Sequence, residues 1–205
     1  MIAIQTKMRD DLIEAEKLKQ QLSLSLLQQQ VNPHFLYNTL DSICALAELD
    51  EKETLIQLVM NLSSFYRSSL SNGKMHISIG QELEISRAYL EILQIRYFHK
   101  FDFTITCPEA LKNYSCIKLL LQPILENSIY HGIKGLDRHG ILHIEAEDTG
   151  DCIRFTISDN GRGFSKEDYE KIWQQDADHF GIKSIQQRIL LYYGPGYGLS
   201  MCRPR

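Results

Sequence analysis

No Cys-x-x-Cys pair occurs in these 205 residues, and no apolar run approaches the ~20 residues that a membrane-crossing helix needs. The five cysteines, Cys44, Cys107, Cys116, Cys152 and Cys202, are odd in number and irregular in spacing. That excludes a disulfide framework or a paired-thiolate zinc site and points to a reducing cytoplasm. A formal net charge of −4 with no clustered basic run makes nucleic acid an unexpected partner. Met1 to Asp11 lacks the charged-then-apolar pattern of a signal peptide. No internal repeat or low-complexity segment stands out. What is present is apolar: 43% of the residues are hydrophobic, enough for a packed core in one large domain or two small ones.

The apolar spacing changes along the chain. Met8, Leu12, Ala15, Leu18, Leu22 and Leu26 form a narrow stripe at intervals of three and four, which suits a coiled-coil seam over residues 7–31. Pro33 perturbs this run, and helical spacing resumes with Phe35, Leu36, Leu40, Ile43 and Leu46. A second amphipathic helix carries Leu55, Leu58, Val59, Leu62, Phe65, Tyr66 and Leu70, with Ser71-Asn72-Gly73 as its stop signal. A helical hairpin of this kind leaves apolar stripes exposed, and two copies together make a four-helix bundle, so a homodimer is expected. A third helix is predicted from Gln81 to Tyr97. Strand alternation then appears at Phe101–Thr106, Leu142–Ala146 and Ile153–Ile157, separated by helical spacing from Ile117 to Ser128 and followed by a last helix from about Lys183 to Tyr193. The fold class is α+β: a helical hairpin in residues 1–75, then helices layered on a sheet in residues 76–205.

Three short motifs carry candidate chemistry. Asp159-Asn160-Gly161-Arg162-Gly163 follows a strand; its aspartate can accept a hydrogen bond from an amino group such as that of adenine, and its glycines admit close approach. The same residues also make a plain strand-ending turn. Glu126-Asn127-Ser128-Ile129-Tyr130-His131-Gly132 places Asn127 and His131 on one helix face, where an amide oxygen suits a hydrated magnesium ion; the alternative is a helix end stopped by Gly132. Gly181, just before the last helix, offers a phosphate seat at a helix N-terminus.

Taken in order, helix with Glu-Asn, strand with Asp-x-Gly-x-Gly, then Gly before a helix, these motifs resemble the N, G1 and G2 boxes of the GHKL-type (Bergerat) ATP-binding sandwich shared by gyrase, a heat-shock chaperone, a mismatch-repair ATPase and histidine kinases. The segment between Gly163 and Gly181, with Trp173, then corresponds to an ATP lid. Gln28 to Leu40, containing Asn32-Pro33-His34-Phe35-Leu36-Tyr37-Asn38, closely resembles the phosphoacceptor signature of LytS/YesM-type sensor histidine kinases. Gln122-Pro123-Ile124-Leu125-Glu126-Asn127 and Arg188-Ile189-Leu190-Leu191-Tyr192-Tyr193-Gly194 are similar to that family too.

The resemblance implies ATP and Mg2+ as cofactors, His34 as the phosphoacceptor, and an aspartate receiver domain of a response regulator as partner. It also implies a cytoplasmic segment of a membrane receptor. A neutral imidazole nitrogen is a competent nucleophile, and Pro33 can bend the helix to present it. By the same resemblance Asn127 would hold magnesium and Asp159 would read adenine, with Gly161, Gly163 and Gly181 admitting the nucleotide. Two departures stand out. Phe35 occupies the position where many such kinases carry an acid; resemblance to this fold's ATPases, which use a glutamate beside the N-box asparagine, makes Glu126 the candidate base, and Asn38 is a candidate for orienting water in dephosphorylation. Tyr130 replaces a common lysine, leaving Lys134 or Arg162 as phosphate cation. The family's additional strand after Gly194-Pro195-Gly196 is expected to be missing. Rival readings are a degenerate ATP-binding dimerisation partner without kinase activity, a chaperone- or gyrase-class ATPase, which Asn32-Pro33-His34 argues against, and a helical dimerisation module beside an incidental α+β domain.

Overall fold

The structure, a computed structural model, describes residues 33–69, 75–165 and 180–202. The expected coiled-coil stripe, the Ser71-Asn72-Gly73 stop and Trp173 lie outside these residues. The chain divides into two compact units, Met1–Asn38 and Thr39–Arg205.

The first helix, α1 (Pro33–Glu48), ends in a left-handed Asp50 (φ 57°). There Glu51 N–H donates to Leu46 O at 3.0 Å and Asp50 N–H to Ala47 O at 3.3 Å, the paired bonds of a Schellman stop. Helix α2 (Lys52–Ser69) follows at once. A three-residue strand β1 (His76–Ser78) then leads into α3 (Ile79–Arg96) through a capping box: Gln81 N–H donates to Ser78 Oγ, and Ser78 N–H to Gln81 Oε1.

Helix α3 is the spine of the second unit. Leu83, Ala88, Leu90 and Leu93 are buried at helical spacing, and Ile79, Ile85, Tyr89 and Ile92 are buried as well. The helix is covered on several sides because α2 packs on it, with the Phe65 and Tyr89 rings 5.9 Å apart, while β2 (Phe101–Thr106) lies against another side. Each fully buried Leu or Ile contributes about 1.5–3 kcal/mol.

The main sheet has three strands in the order β2, β4 (Gly140–Asp148), β5 (Ile153–Asp159). β2 and β4 run parallel, with Phe101 opposite Gly140; β4 and β5 are antiparallel, with Leu142 opposite Asp159. Gly140, Leu142, Ile144 and Ala146 face the core, and the residues between them face outward, as period-2 alternation requires. β1 pairs separately with β3 (Ser115–Ile117), antiparallel.

The stretch after β3 corrects the sequence reading. Helical spacing was expected from Ile117, but Ile117 ends a strand, and α4 begins only at Gln122 (Gln122–Asn127), with Pro123 in its first turn. The intervening loop has a left-handed Leu119 (φ 54°) and is held by two buried charges. Glu82 accepts the Leu119 N–H at Oε2 (2.8 Å) and the Leu121 N–H at Oε1 (2.9 Å). Arg188, from the last helix α5 (Phe180–Tyr193), donates to the Leu119 carbonyl at 3.1 Å and also to the Lys118 carbonyl. Burial holds the Glu82 carboxyl above its ordinary range, and the loop amides and the Arg188 charge offset only part of that rise. Three apolar residues in a row suit a helix by spacing alone; the tertiary hydrogen bonds select a loop.

Glu82→Gln keeps the shape but leaves one loop amide facing an NH2 group. It is expected to lower the unfolding free energy by about 1.5–3 kcal/mol, read from urea denaturation. The surface change Arg154→Ala should stay within ~0.5 kcal/mol. Equal midpoints for the two variants would remove the clamp from the account.

Candidate functional site

In the first unit, α1 brings two candidate residues together. His34 is exposed while its neighbour Phe35 is buried, so the helix turns the imidazole outward. Asn38, one turn on, has its amide nitrogen 3.0 Å from His34 Nε2 and 3.2 Å from Nδ1. The amide donates to whichever ring nitrogen lacks a proton.

The second unit assembles the other motifs. Helix α4 carries Glu126 and Asn127 and continues without a break into a wide turn, Ser128–Ile133, in which Lys134 N–H reaches back to Ile129 O at 2.8 Å. Gly132 therefore does not stop the helix, as its sequence position alone allowed. It serves close approach instead. A Cβ on Gly132 would lie 3.1 Å from Asp159 Oδ1. A Cβ on Gly161 would lie 2.6 Å from that same oxygen and 2.7 Å from the Gly132 backbone. Arg162 N–H donates to Gly132 O at 3.1 Å, tying the end of β5 to the wide turn.

Asp159 is oriented from both sides. Its Oδ1 accepts Gly161 N–H at 2.9 Å. Asn160 extends the β4–β5 pairing beyond the strand: its Oδ1 accepts Ile141 N–H at 2.7 Å, and its Nδ2 donates to the His139 carbonyl at 3.1 Å. Gly163 has a left-handed backbone (φ 69°), as a glycine-rich loop requires.

The last helix begins earlier than expected, at Phe180, so Gly181 lies in its first turn and not before it. A Cβ on Gly181 would sit 3.4 Å from Pro123 Cβ, which brings the start of α5 against the start of α4. Thus Gly132, Asp159, Gly161 and Arg162 meet at the wide turn, Gly181 meets Pro123 at the start of α4, and Asn127 and His131 lie on the helical stretch between.

Glu126 faces the aromatic end of α3. Burial first, then the Glu126 carboxylate and the Tyr130 phenol, hold the Tyr89 hydroxyl well above its ordinary range. Burial and the neighbouring Tyr130 likewise raise Tyr97. Lys134 Nζ lies 5.5 Å from the Tyr130 ring centroid and 5.8 Å from that of Tyr97. Sequence reading gave no role to Pro123 or Tyr97, nor to Asn160, although its motifs contain Pro123 and Asn160. Only the position of Asn160 beside Asp159 could have signalled it.

Comparison with known proteins matches two stretches of the chain. A family model described as "Histidine kinase" matches residues 22–101, and one described as "Histidine kinase-, DNA gyrase B-, and HSP90-like ATPase" matches residues 114–204. Over residues 22–101 the chain belongs to the histidine kinase family. Its second half is thus an ATP-binding domain of the kind this family shares with gyrase and the chaperone. Among curated relatives, the sensor histidine kinase YesM of Bacillus subtilis is 31% identical over 94% of this chain and 33% of its own length. Sensor histidine kinase BtsS of Escherichia coli is 33% identical over 90% of this chain and 32% of its own. The sensor histidine kinase/phosphatase LytS of Staphylococcus aureus is 32% identical over 77% of this chain and 28% of its own. The chain spans about a third of the length of these relatives. Among the described residues, no helix is long and apolar enough to cross a membrane.

Overpacking typically costs about 1–3 kcal/mol. Gly161→Ala is therefore expected to lower thermal stability and weaken ATP binding, because its methyl group would drive Asp159 and Gly132 apart. Gly135→Ala, where a Cβ meets nothing within 4 Å, should change neither. Equal nucleotide titrations and melting curves for the two variants would exclude the close-approach role.

Proposed function

We propose that this chain is the kinase core of a two-component sensor, in which ATP bound near Asp159 phosphorylates His34 and the phosphoryl group then passes to an aspartate of a response regulator. The observation that carries this reading is the packing of Gly132 against Asp159 and Gly161, in the same chain as an outward-facing His34. On this reading residues 1–75 supply dimerisation and the phosphoacceptor, and residues 76–205 supply the nucleotide site.

In the transfer step a neutral nitrogen of His34 bonds to the γ-phosphorus, the bond to the β,γ-bridging oxygen breaks, and ADP leaves; the ring's remaining proton departs to a base. Glu126 is the candidate base. Asp159, already holding Gly161 N–H through Oδ1, keeps Oδ2 for the adenine amino group. Gly161, Gly163 and Gly181 leave room for the nucleotide backbone to backbone. Asn127 and His131 lie along α4 and the wide turn that follows it, and an amide oxygen is a suitable donor to a magnesium ion that keeps most of its waters. Magnesium, when bound, neutralises charge on the phosphates. Arg162, whose backbone N–H donates to Gly132 O, is a candidate phosphate cation. Asn38 has the reach to orient water for removing phosphate from the regulator.

A homodimer fits the surface of α2. Ile56, Val59 and Met60 share one face of that helix and are 47%, 43% and 63% exposed, an apolar stripe suited to a second copy. A membrane sensor region in a longer protein, with this core on the cytoplasmic side, would fit the relatives named as sensors.

The test is incubation with magnesium and γ-labelled ATP. Wild type is expected to take up acid-labile, base-stable label, and His34→Gln none, with ATP binding retained. Measurable binding without label in wild type would identify a degenerate partner. In the same assay Glu126→Gln should slow labelling by about 10²-fold or more with ATP affinity held, since a positioned base contributes roughly that much. Wild-type kinetics in that variant would discharge Glu126 from the role.

A further inference from the structure

We propose that Tyr97 and Tyr130 form an aromatic cradle that positions the ammonium of Lys134 for the polyphosphate of the bound nucleotide. This rests on the ATP-binding reading above and assigns to that site two positioning residues, Tyr97 from outside the motifs and Tyr130 from within one.

The geometry has three parts. Tyr130 and Lys134 are four residues apart where α4 continues into the wide turn, so their side chains lie on one face. Tyr97 comes from elsewhere, as the cap of α3, and its ring meets Tyr130 edge-on with centroids 6.2 Å apart. Lys134 Nζ then lies over both rings, at 5.5 and 5.8 Å. The backbone beyond Tyr97 is unusual as well. Phe98 and His99 are both left-handed (φ 51° and 52°), and His99 N–H closes back on Gln94 O at 2.8 Å. Consecutive bulky residues in that region are uncommon and are kept where the local shape is required.

An aromatic face holds a cation in a way that a carboxylate does not. It localises the ammonium without cancelling its charge or occupying its N–H donors. Lys112 with Glu109 and Arg154 with Glu147 are neutralised by their carboxylate partners, while Arg96 also lies by the Tyr97 ring, 5.9 Å from its centroid. Lys134 is instead exposed, held by rings, and on the same continuous helical stretch as Asn127 and His131. A cation kept ready in this way suits a multiply charged anion, and the triphosphate is that anion in the proposed site.

The experiment measures binding of ATP, ADP and adenosine to the full chain by calorimetry. Lys134→Gln is expected to weaken ATP by about tenfold, the worth of one charge-assisted contact, with adenosine unchanged. Tyr97→Leu and Tyr130→Leu should each weaken ATP by roughly threefold, and Tyr→Phe at either position should restore wild-type affinity, because the ring and not the hydroxyl holds the cation. Combining Tyr130→Leu with Lys134→Gln should cost no more than Lys134→Gln alone. Lys134→Gln binding ATP like wild type, while Asp159→Asn does not, would overturn the cradle and leave the ATP site standing. Equal losses for adenosine and ATP in the Leu variants would reduce the tyrosines to packing. A wild-type chain that binds no nucleotide would sink both readings.

Discussion

Glu82 and Arg188 hold the loop Lys118–Leu121 from opposite sides, and the candidate site is built on what that loop launches. The carboxylate takes two of the loop's amides, and the guanidinium takes two of its carbonyls. Backbone polar groups buried without partners are costly, so a left-handed, non-helical segment can run through the core only when such groups are supplied. Burying two charges is itself expensive, and the hydrogen bonds to the loop are what offset it. Because α4 starts where the loop ends, the position of Glu126 and Asn127 follows from residues in α3 and α5 that touch no ligand.

The same loop joins distant parts of the chain. Arg188 belongs to α5, whose first turn holds Gly181 against Pro123. The start of α5 and the start of α4 are therefore fixed relative to each other at two points. The third element, the end of β5, is set by the Gly132–Gly161 contact and by Asn160, which extends the sheet pairing one residue past Asp159. Each of the three motifs is thus held by a different interaction: a charge clamp, a glycine contact and a side-chain continuation of a strand.

Much of this was legible beforehand. The alternation in Phe101–Thr106, Leu142–Ala146 and Ile153–Ile157 marked the three main strands, since a half-buried sheet must alternate. The spacing of α1, α2 and α3 marked those helices to within a few residues. The helix expected from Ile117 was misread because Leu119, Leu120 and Leu121 are buried in a loop, and burial alone has no period. Gly132 was open to reading as a helix stop because a glycine in one chain segment does not reveal which other backbone comes close to it.

By itself, then, the sequence determined the α+β class, the strand and helix periods, the order of the three motifs and the histidine beside Pro33, because each depends on residue type at short spacing. Only the tertiary structure decided that Gly132 and Gly161 meet, that Glu82 and Arg188 impose a loop on three leucines, and that Tyr97 reaches Lys134. Those contacts join residues from 29 to 70 positions apart, and no local pattern records which distant partner a residue will find once the core has closed around it.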